Sequence, residues 1–289
     1  MLPTCQLIAA ALLKKCLCPG ECQCPRQYTA PGAAKGKRTK KSGQSPYFVG
    51  YKKHTLRLWL RIKGKNLLIP LVSFIEPANV YEGNLLNPMI QNVQKELSLH
   101  IDIVVGDMGY ISSDHKRELR KQSQTAVITR VRENMFPPKE YVDHGCPECP
   151  EGIPLSWDGY DLGTEMHRYI APTNHAVCKV CRLHGSCYQE VSINPLTDEH
   201  RFGIIPLHTK VAQRLLQQIR PQVERGFEND KNKLSLNRFF ANSLKIAKII
   251  GYLTDACQIL LLFAEMKTNT KAKAKRIMKA SYTQLSFDL

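Results

Sequence analysis

Two acidic residues and two pairs of cysteines have the types and spacing to do chemistry in this 289-residue chain. In the stretch RPQVERGFENDK, residues 220–231, Glu224 stands between Arg220 and Lys231. At about 100° per helical residue, Val223, Phe227 and Leu234 share one narrow apolar stripe, and Glu224 and Lys231 share the stripe beside it. A carboxylate on that boundary can reach a strand tip under the helix and hold a hard divalent cation. It can equally form an ordinary ion pair on the helix surface. Gly226 costs about 1 kcal/mol in a helix interior but permits close backbone approach. Glu228 and Asp230 read as solvated charge. The second acid, Asp107, ends the apolar run of HIDIVVGDMGY (100–110) just before Gly109 turns the chain. Sheet-end positions collect ligands and catalytic groups, although an Asp there also serves as a turn former. Asp102, within the run, is the poorer candidate.

The cysteines suggest a different metal. Cys146 and Cys149 form one Cys-x-x-Cys and Cys178 and Cys181 another, with His184 and Cys187 following. Four thiolates fit tetrahedral Zn²⁺, and such a closed set is structural because no coordination position stays open. The alternative is free buried cysteine. A zinc clamp would let a Pro- and Gly-rich segment fold with little core. Cys16, Cys18, Cys22 and Cys24 form a second, less specific candidate. Eleven cysteines, an odd number arranged as Cys-x-Cys and Cys-x-x-Cys, point to metal binding in a reducing compartment.

Strands and helices must position these groups. YFVGYKKHTLRLWLRI (47–62) and NLLIPLVSFI (66–75) read as neighbouring strands, with Leu56, Leu58 and Leu60 on one face. EGNLLNPMIQNVQKELSL (82–99) predicts a helix despite Pro88. A buried central strand is expected over 101–106, a serine-capped helix over 112–122 and a strand over 125–132. Between 133 and 200, Pro, Gly and Cys become frequent and periodicity is lost, which predicts an irregular insertion. Helix resumes at 209 and continues towards 265, with Pro221 at a kink or in the first turn of a new segment. The order predicts an α/β core around a mixed sheet. Its parts are a Cys-rich, basic segment (1–46), the core's first part (47–132), the Cys-rich insertion (133–200), helices completing the core (201–266) and a basic tail (267–289).

The charge balance narrows the partner. There are 41 Lys and Arg against 25 Asp and Glu, a net charge of +16, so a polyanion is favoured. Lys35, Lys37, Arg38, Lys40 and Lys41, then Lys52 and Lys53, and in the tail Lys271, Lys273, Lys275 and Arg276, are candidate phosphate contacts. A membrane is disfavoured: the most apolar stretch, 244–265, is broken by Lys245, Lys248 and Asp255 and reads as an amphipathic core helix. No basic region precedes the apolar run near the N-terminus, so a signal peptide is not expected.

Taken together, YFVGYKKH, VVGDMGYISSDHKREL and RPQVERGFENDKNKLSL resemble the DDE transposases of bacterial insertion sequences, in particular the group with a Tyr-Arg-Glu-Lys signature. In that signature Arg precedes Glu by four residues and Lys follows it by seven; Arg220, Glu224 and Lys231 meet both spacings, while Gln217 holds the tyrosine position. The resemblance covers most of residues 47–265. It implies a ribonuclease H-like mixed sheet flanked by helices. It also implies Asp107 and Glu224 as ligands of Mg²⁺ or Mn²⁺, Lys231 on a phosphate near the cut and Arg220 in support. Two such ions about 3.5–4 Å apart activate the attacking hydroxyl and stabilise the leaving oxygen. The implied partner is double-stranded DNA, as element ends and target, in the bacterial cytoplasm at the nucleoid; paired-end cutting would suit a homodimer.

The family carries its first Asp on the first strand, yet residues 1–101 contain no aspartate. LPTCQLIAA (2–10) occupies that place, with Thr4 or Cys5 near the expected position. Either the residue is lost or the start is truncated. Thr and Cys are poor ligands for a hard cation. The expectation is DNA binding, at most one metal held well, and cleavage that is weak or absent. The competing readings are a zinc-stapled DNA-binding remnant that regulates an intact enzyme, and a ribonuclease H-like nuclease without strand transfer.

Overall fold

A computed structural model describes residues 2–10, 30–37, 45–62, 64–110, 112–132, 145–172, 176–183, 190–195, 198–228 and 241–268, with single positions 135, 187, 230 and 234. For 2–10 and for positions 65, 220, 223–225, 227 and 228 the description is of the backbone alone. The chain forms two units, Met1–Leu85 with Gln222–Leu289, and Leu86–Pro221. The architecture is mixed α/β, with three separate β-sheets among the described residues, one in the first unit and two in the second.

The first unit is built on β3 (Tyr47–Ile62), a 16-residue strand. β4 (Lys65–Pro77) returns antiparallel along one edge, from Ile62↔Lys65 to Tyr51↔Pro77, with a register shift between Leu56 and Arg57. The other edge takes β1 (Leu2–Ala10), paired from Leu2↔Arg57 to Ala10↔Gly50, and then β2 (Ala34–Lys37), paired from Ala34↔Gly50 to Lys37↔Tyr47. The expected alternation holds only in part. Leu56 is buried, but so is every residue from Lys53 to Arg57, because the middle of β3 is covered on both faces. The last helix of this unit, Leu244–Thr268, packs on β4, where its Ala247 joins Tyr51 and Ile75 in one apolar cluster.

In the second unit, α1 (Leu86–Leu97) follows a 3-10 turn and buries Leu86, Met89, Ile90 and Val93, one helical face at three- and four-residue spacing. Pro88 falls in its first turn, where a missing N–H costs nothing. β5 (Ile103–Gly106) then pairs parallel with β6 (Ala126–Thr129), in register from Ile103↔Ala126 to Gly106↔Thr129. Between them runs α2 (Ser113–Ser123), the crossover that a parallel pair requires. Ser112 caps α2, its hydroxyl accepting the His115 N–H at 3.5 Å, and Gln124 ends it in the left-handed region at φ 52°. Both strands are shorter than the expected 101–106 and 125–132.

The insertion departs from its expected irregularity. It carries an antiparallel meander of β7 (Ser156–Asp161), β8 (Met166–Ile170) and β9 (Glu190–Ile193), with a short helix α3 (Ala176–Val180) before the last strand. Leu155, Tyr169 and Phe202 form its apolar core. Its strands alternate, but the inward residues of β8 are His167 and Tyr169, which an aliphatic pattern does not register. α4 (Lys210–Glu228) is a single helix that continues through Pro221, where the two units meet in the sequence, and α5 is the 25-residue helix Leu244–Thr268 already described.

Candidate functional site

Asp107 stands at the C-terminal tip of β5 with its side chain exposed. Its Oδ1 accepts the Met108 N–H at 2.8 Å, and its carbonyl accepts the Tyr110 N–H at 3.0 Å. The residue therefore forms the turn, and it also presents a carboxylate beside the end of a parallel strand, where α/β folds gather ligands. Glu224 lies within α4, in the other unit; its side chain, that of Arg220 and all of Lys231 lie outside the described residues. Of the four candidate catalytic residues, only Asp107 thus has a described side chain. On β1, Thr4 pairs with Thr55 and Cys5 with His54, so no carboxylate occupies the middle of that strand.

A charged cluster that the sequence did not disclose ties β3 to the segment after α4 and to α5. Arg57 and Lys53 on β3 are both fully buried, as is Asp230. Arg57 donates from Nη2 to Asp230 Oδ2 at 3.0 Å, and Lys53 Nζ lies 3.9 Å from the same oxygen. Lys53 also donates to Asp255 of α5 at 2.6 Å. Asp230 is therefore not the solvated charge that the sequence suggested, and Lys53 is an internal counter-ion rather than a surface phosphate contact. Burial of an acid at this position follows from two cations already present on the strand beneath. Gly226 supplies the room: a Cβ there would come within 3.1 Å of Arg57 Nη1. The close approach that a helical glycine permits is here an approach to a guanidinium. On the opposite side of β3's alternation, Lys52 pairs with Glu82 at 2.9 Å. Burial pushes the neighbouring His54 imidazole down to about 4; Glu82 pulls it up and Lys52 adds to the lowering.

In the insertion, Cys146, Cys149, Cys178, Cys181 and Cys187 are all half-buried and form no disulfide. Among the described residues no three His, Cys, Asp or Glu side chains close up into a metal-holding group. Cys149 and Cys181 sit in tight turns. Cys149 donates its N–H to Ile153 and accepts that of Gly152 on its carbonyl, and Cys181 Sγ accepts the Leu183 N–H at 3.4 Å. Partial burial raises the Cys178 thiol, followed by the charges of Cys149, Cys181 and Cys187. Cys146 instead directs its sulfur at the Pro147 and Leu155 carbonyls, both 3.7 Å away. Cys16, Cys18, Cys22 and Cys24 lie outside the described residues.

The insertion is locked to α2 by Arg120. Its guanidinium donates to Glu199 Oε1 at 3.1 Å and Oε2 at 3.4 Å and to Tyr160 Oη at 2.8 Å, and lies 3.2 Å from Glu165. Burial opposes its charge, but Glu199 outweighs that and keeps Arg120 more firmly protonated than usual. His167 is fixed nearby: Trp157 Nε1 donates to its Nδ1 at 3.1 Å, so its Nε2–H faces the Phe202 carbonyl at 2.7 Å. One turn before Arg120, the buried Lys116 amine has no hydrogen-bond partner among the described residues. No protein-family model, curated protein or solved structure matches this chain.

Proposed function

We propose that this chain acts on double-stranded DNA in the manner of an insertion-sequence DDE transposase, with a cleavage step that is weak or absent. The observation that carries the reading is the pairing of an exposed Asp107 at the tip of a parallel strand with a β1 whose middle holds Thr4 and Cys5. A ribonuclease H-like arrangement accounts for an antiparallel β1–β3–β4 set followed by a β-α-β crossover. In it Asp107 and Glu224 would hold Mg²⁺ or Mn²⁺, which supplies Lewis acidity at the phosphate. Lys231 would meet the phosphate and Arg220 would support the site. Asp230, anchored on Arg57, holds the chain immediately before Lys231. Zn²⁺ would be held by Cys146, Cys149, Cys178 and Cys181 and would stiffen the insertion. The bacterial cytoplasm, at the nucleoid, is the matching location.

Lys35 and Lys37 are exposed on β2, Lys35 lying over the Tyr47 ring at 4.4 Å, and they offer phosphate contacts. Six to ten such contacts in the whole chain would lose about 10³–10⁵ in affinity between 50 and 200 mM salt. Mobility shift on duplex DNA across that range tests the binding claim, which a flat salt response would sink. Nicking assays with Mg²⁺ and Mn²⁺ test the second claim. Robust nicking abolished by Asp107→Asn would keep the site but overturn its weakness. Nicking that survives Asp107→Asn would remove the site altogether.

A further inference from the structure

Helix α5 has two apolar faces. Ala247, Gly251, Thr254 and Gln258 are buried, and the helix packs with this side on β4. The other side bears Ile246, Ile249, Leu253, Ala256, Leu260 and Phe263, all exposed, and the intervals between them are three, four, three, four and three residues. That alternation is the seam of a left-handed helix pair, in which each apolar side chain enters a hole on the facing helix. Tyr252, Cys257 and Met266 widen the strip and are exposed as well. The large side chains on it are 38–68% exposed, which leaves roughly 800 Å² of surface to cover. Single surface patches on monomers are mostly smaller, and about 800 Å² is the share each partner gives to a standard-size interface.

We propose that this seam is a dimer interface, on which α5 of a second copy packs antiparallel across a twofold axis at Ala256. The pairing follows from the residues. Ala256 is the one small residue of the seam and lets two helices approach closely at the crossing. With the axis there, Ile249 faces Phe263 of the other copy and Leu253 packs beside its Ile259 and Leu260, each contact occurring twice, as an isologous contact requires. Cys257 then lies beside its own copy at the axis.

Lipid is the competing cover, because Leu244–Lys267 is long and apolar enough to cross a membrane. The same helix, however, carries Asp255 in an ion pair with the buried Lys53, and its inner face rests on a sheet. A spanning helix would have to surrender both.

The test is sedimentation velocity or light scattering on the purified full chain over a wide concentration range, with Leu253→Glu/Leu260→Glu as the perturbing variant. Both leucines are at least 60% exposed, so the monomer fold tolerates the change, and circular dichroism verifies it. The expected result is a wild-type dimer that weakens at least about a hundredfold in the variant. Mild oxidation should yield a covalent dimer that disappears in Cys257→Ser while the noncovalent dimer persists. A monomer at every concentration overturns the proposal, as does a dimer that the double variant leaves intact. A wild-type chain that is monomeric in solution and floats with anionic vesicles would assign the face to lipid instead.

Discussion

Replacing Asp230 with Asn should destabilise the first unit far more than an ordinary surface change. The substitution keeps shape and removes charge, leaving Arg57 inside the protein without the carboxylate 3.0 Å from its Nη2. Lys53 is less affected, since it keeps Asp255 at 2.6 Å. Removing one partner of a buried pair costs about 3–5 kcal/mol. Asp255→Asn should cost less, because that carboxylate is partly solvated in the folded chain. At about 2–4 °C per kcal/mol for chains of this general size, Asp230→Asn lowers the melting midpoint by about 6–20 °C. The chain contains two tryptophans, Trp59 on β3 and Trp157 on β7, so a Trp157→Phe background lets fluorescence report on the first unit alone. Urea and thermal melts in that background give the cost directly. Arg57→Met/Asp230→Leu should recover most of it, because an apolar pair of similar volume replaces buried ions at little or no cost. A loss below about 1 kcal/mol for Asp230→Asn would show Asp230 to be solvated, as an exposed pair contributes no more than that, and would refute the burial argument.

Three further outcomes can be measured. If the missing first carboxylate limits cleavage, Cys5→Asp or Thr4→Asp should restore Mg²⁺-dependent nicking; successive strand residues face opposite ways, so only one of the two can succeed. His54, held at about 4 by burial against an ordinary 6.5, stays neutral in the folded chain while the unfolded chain takes up a proton. Stability should therefore hold above pH 6.5 and fall by up to about 3 kcal/mol as the pH drops towards 4, with a shallower fall in His54→Leu. Burial lowers the Lys116 amine to about 8 against the opposing pull of Glu199 and Asp198. Lys116→Met should raise the unfolding free energy measured by urea titration at pH 7 by about 1–3 kcal/mol, a gain that shrinks as the pH rises from 8 towards 10.5.

What the sequence disclosed depended on how local the cause was. The β3–β4 pair, the capped start of α2 at Ser112 and the acid at the tip of β5 each follow from neighbours in the chain, and each was legible. The meander was not, because its core joins Leu155, Tyr169 and Phe202 from distant positions and its strands are only four to six residues long. The burial of Asp230 depends on Arg57, 173 residues away, and no window on the sequence contains both. Gly226 was the one local trace of that contact, since a glycine inside a helix at a cost of about 1 kcal/mol calls for something close against it.

Helix α5 illustrates the limit from the other direction. Its three-four apolar stripe is flanked by further apolar residues, so the sequence offers more than one face to bury and assigns the helix to a core without choosing which side is covered. The sheet of the first unit covers one side, with Ala247 and Thr254 turned inward, and leaves Leu253, Leu260 and Phe263 in water. Three large side chains held more than half exposed on one helix face oppose the main force that folds the chain. Their persistence in the sequence is explained by a surface that covers them, and the three-four spacing specifies a helix as that surface.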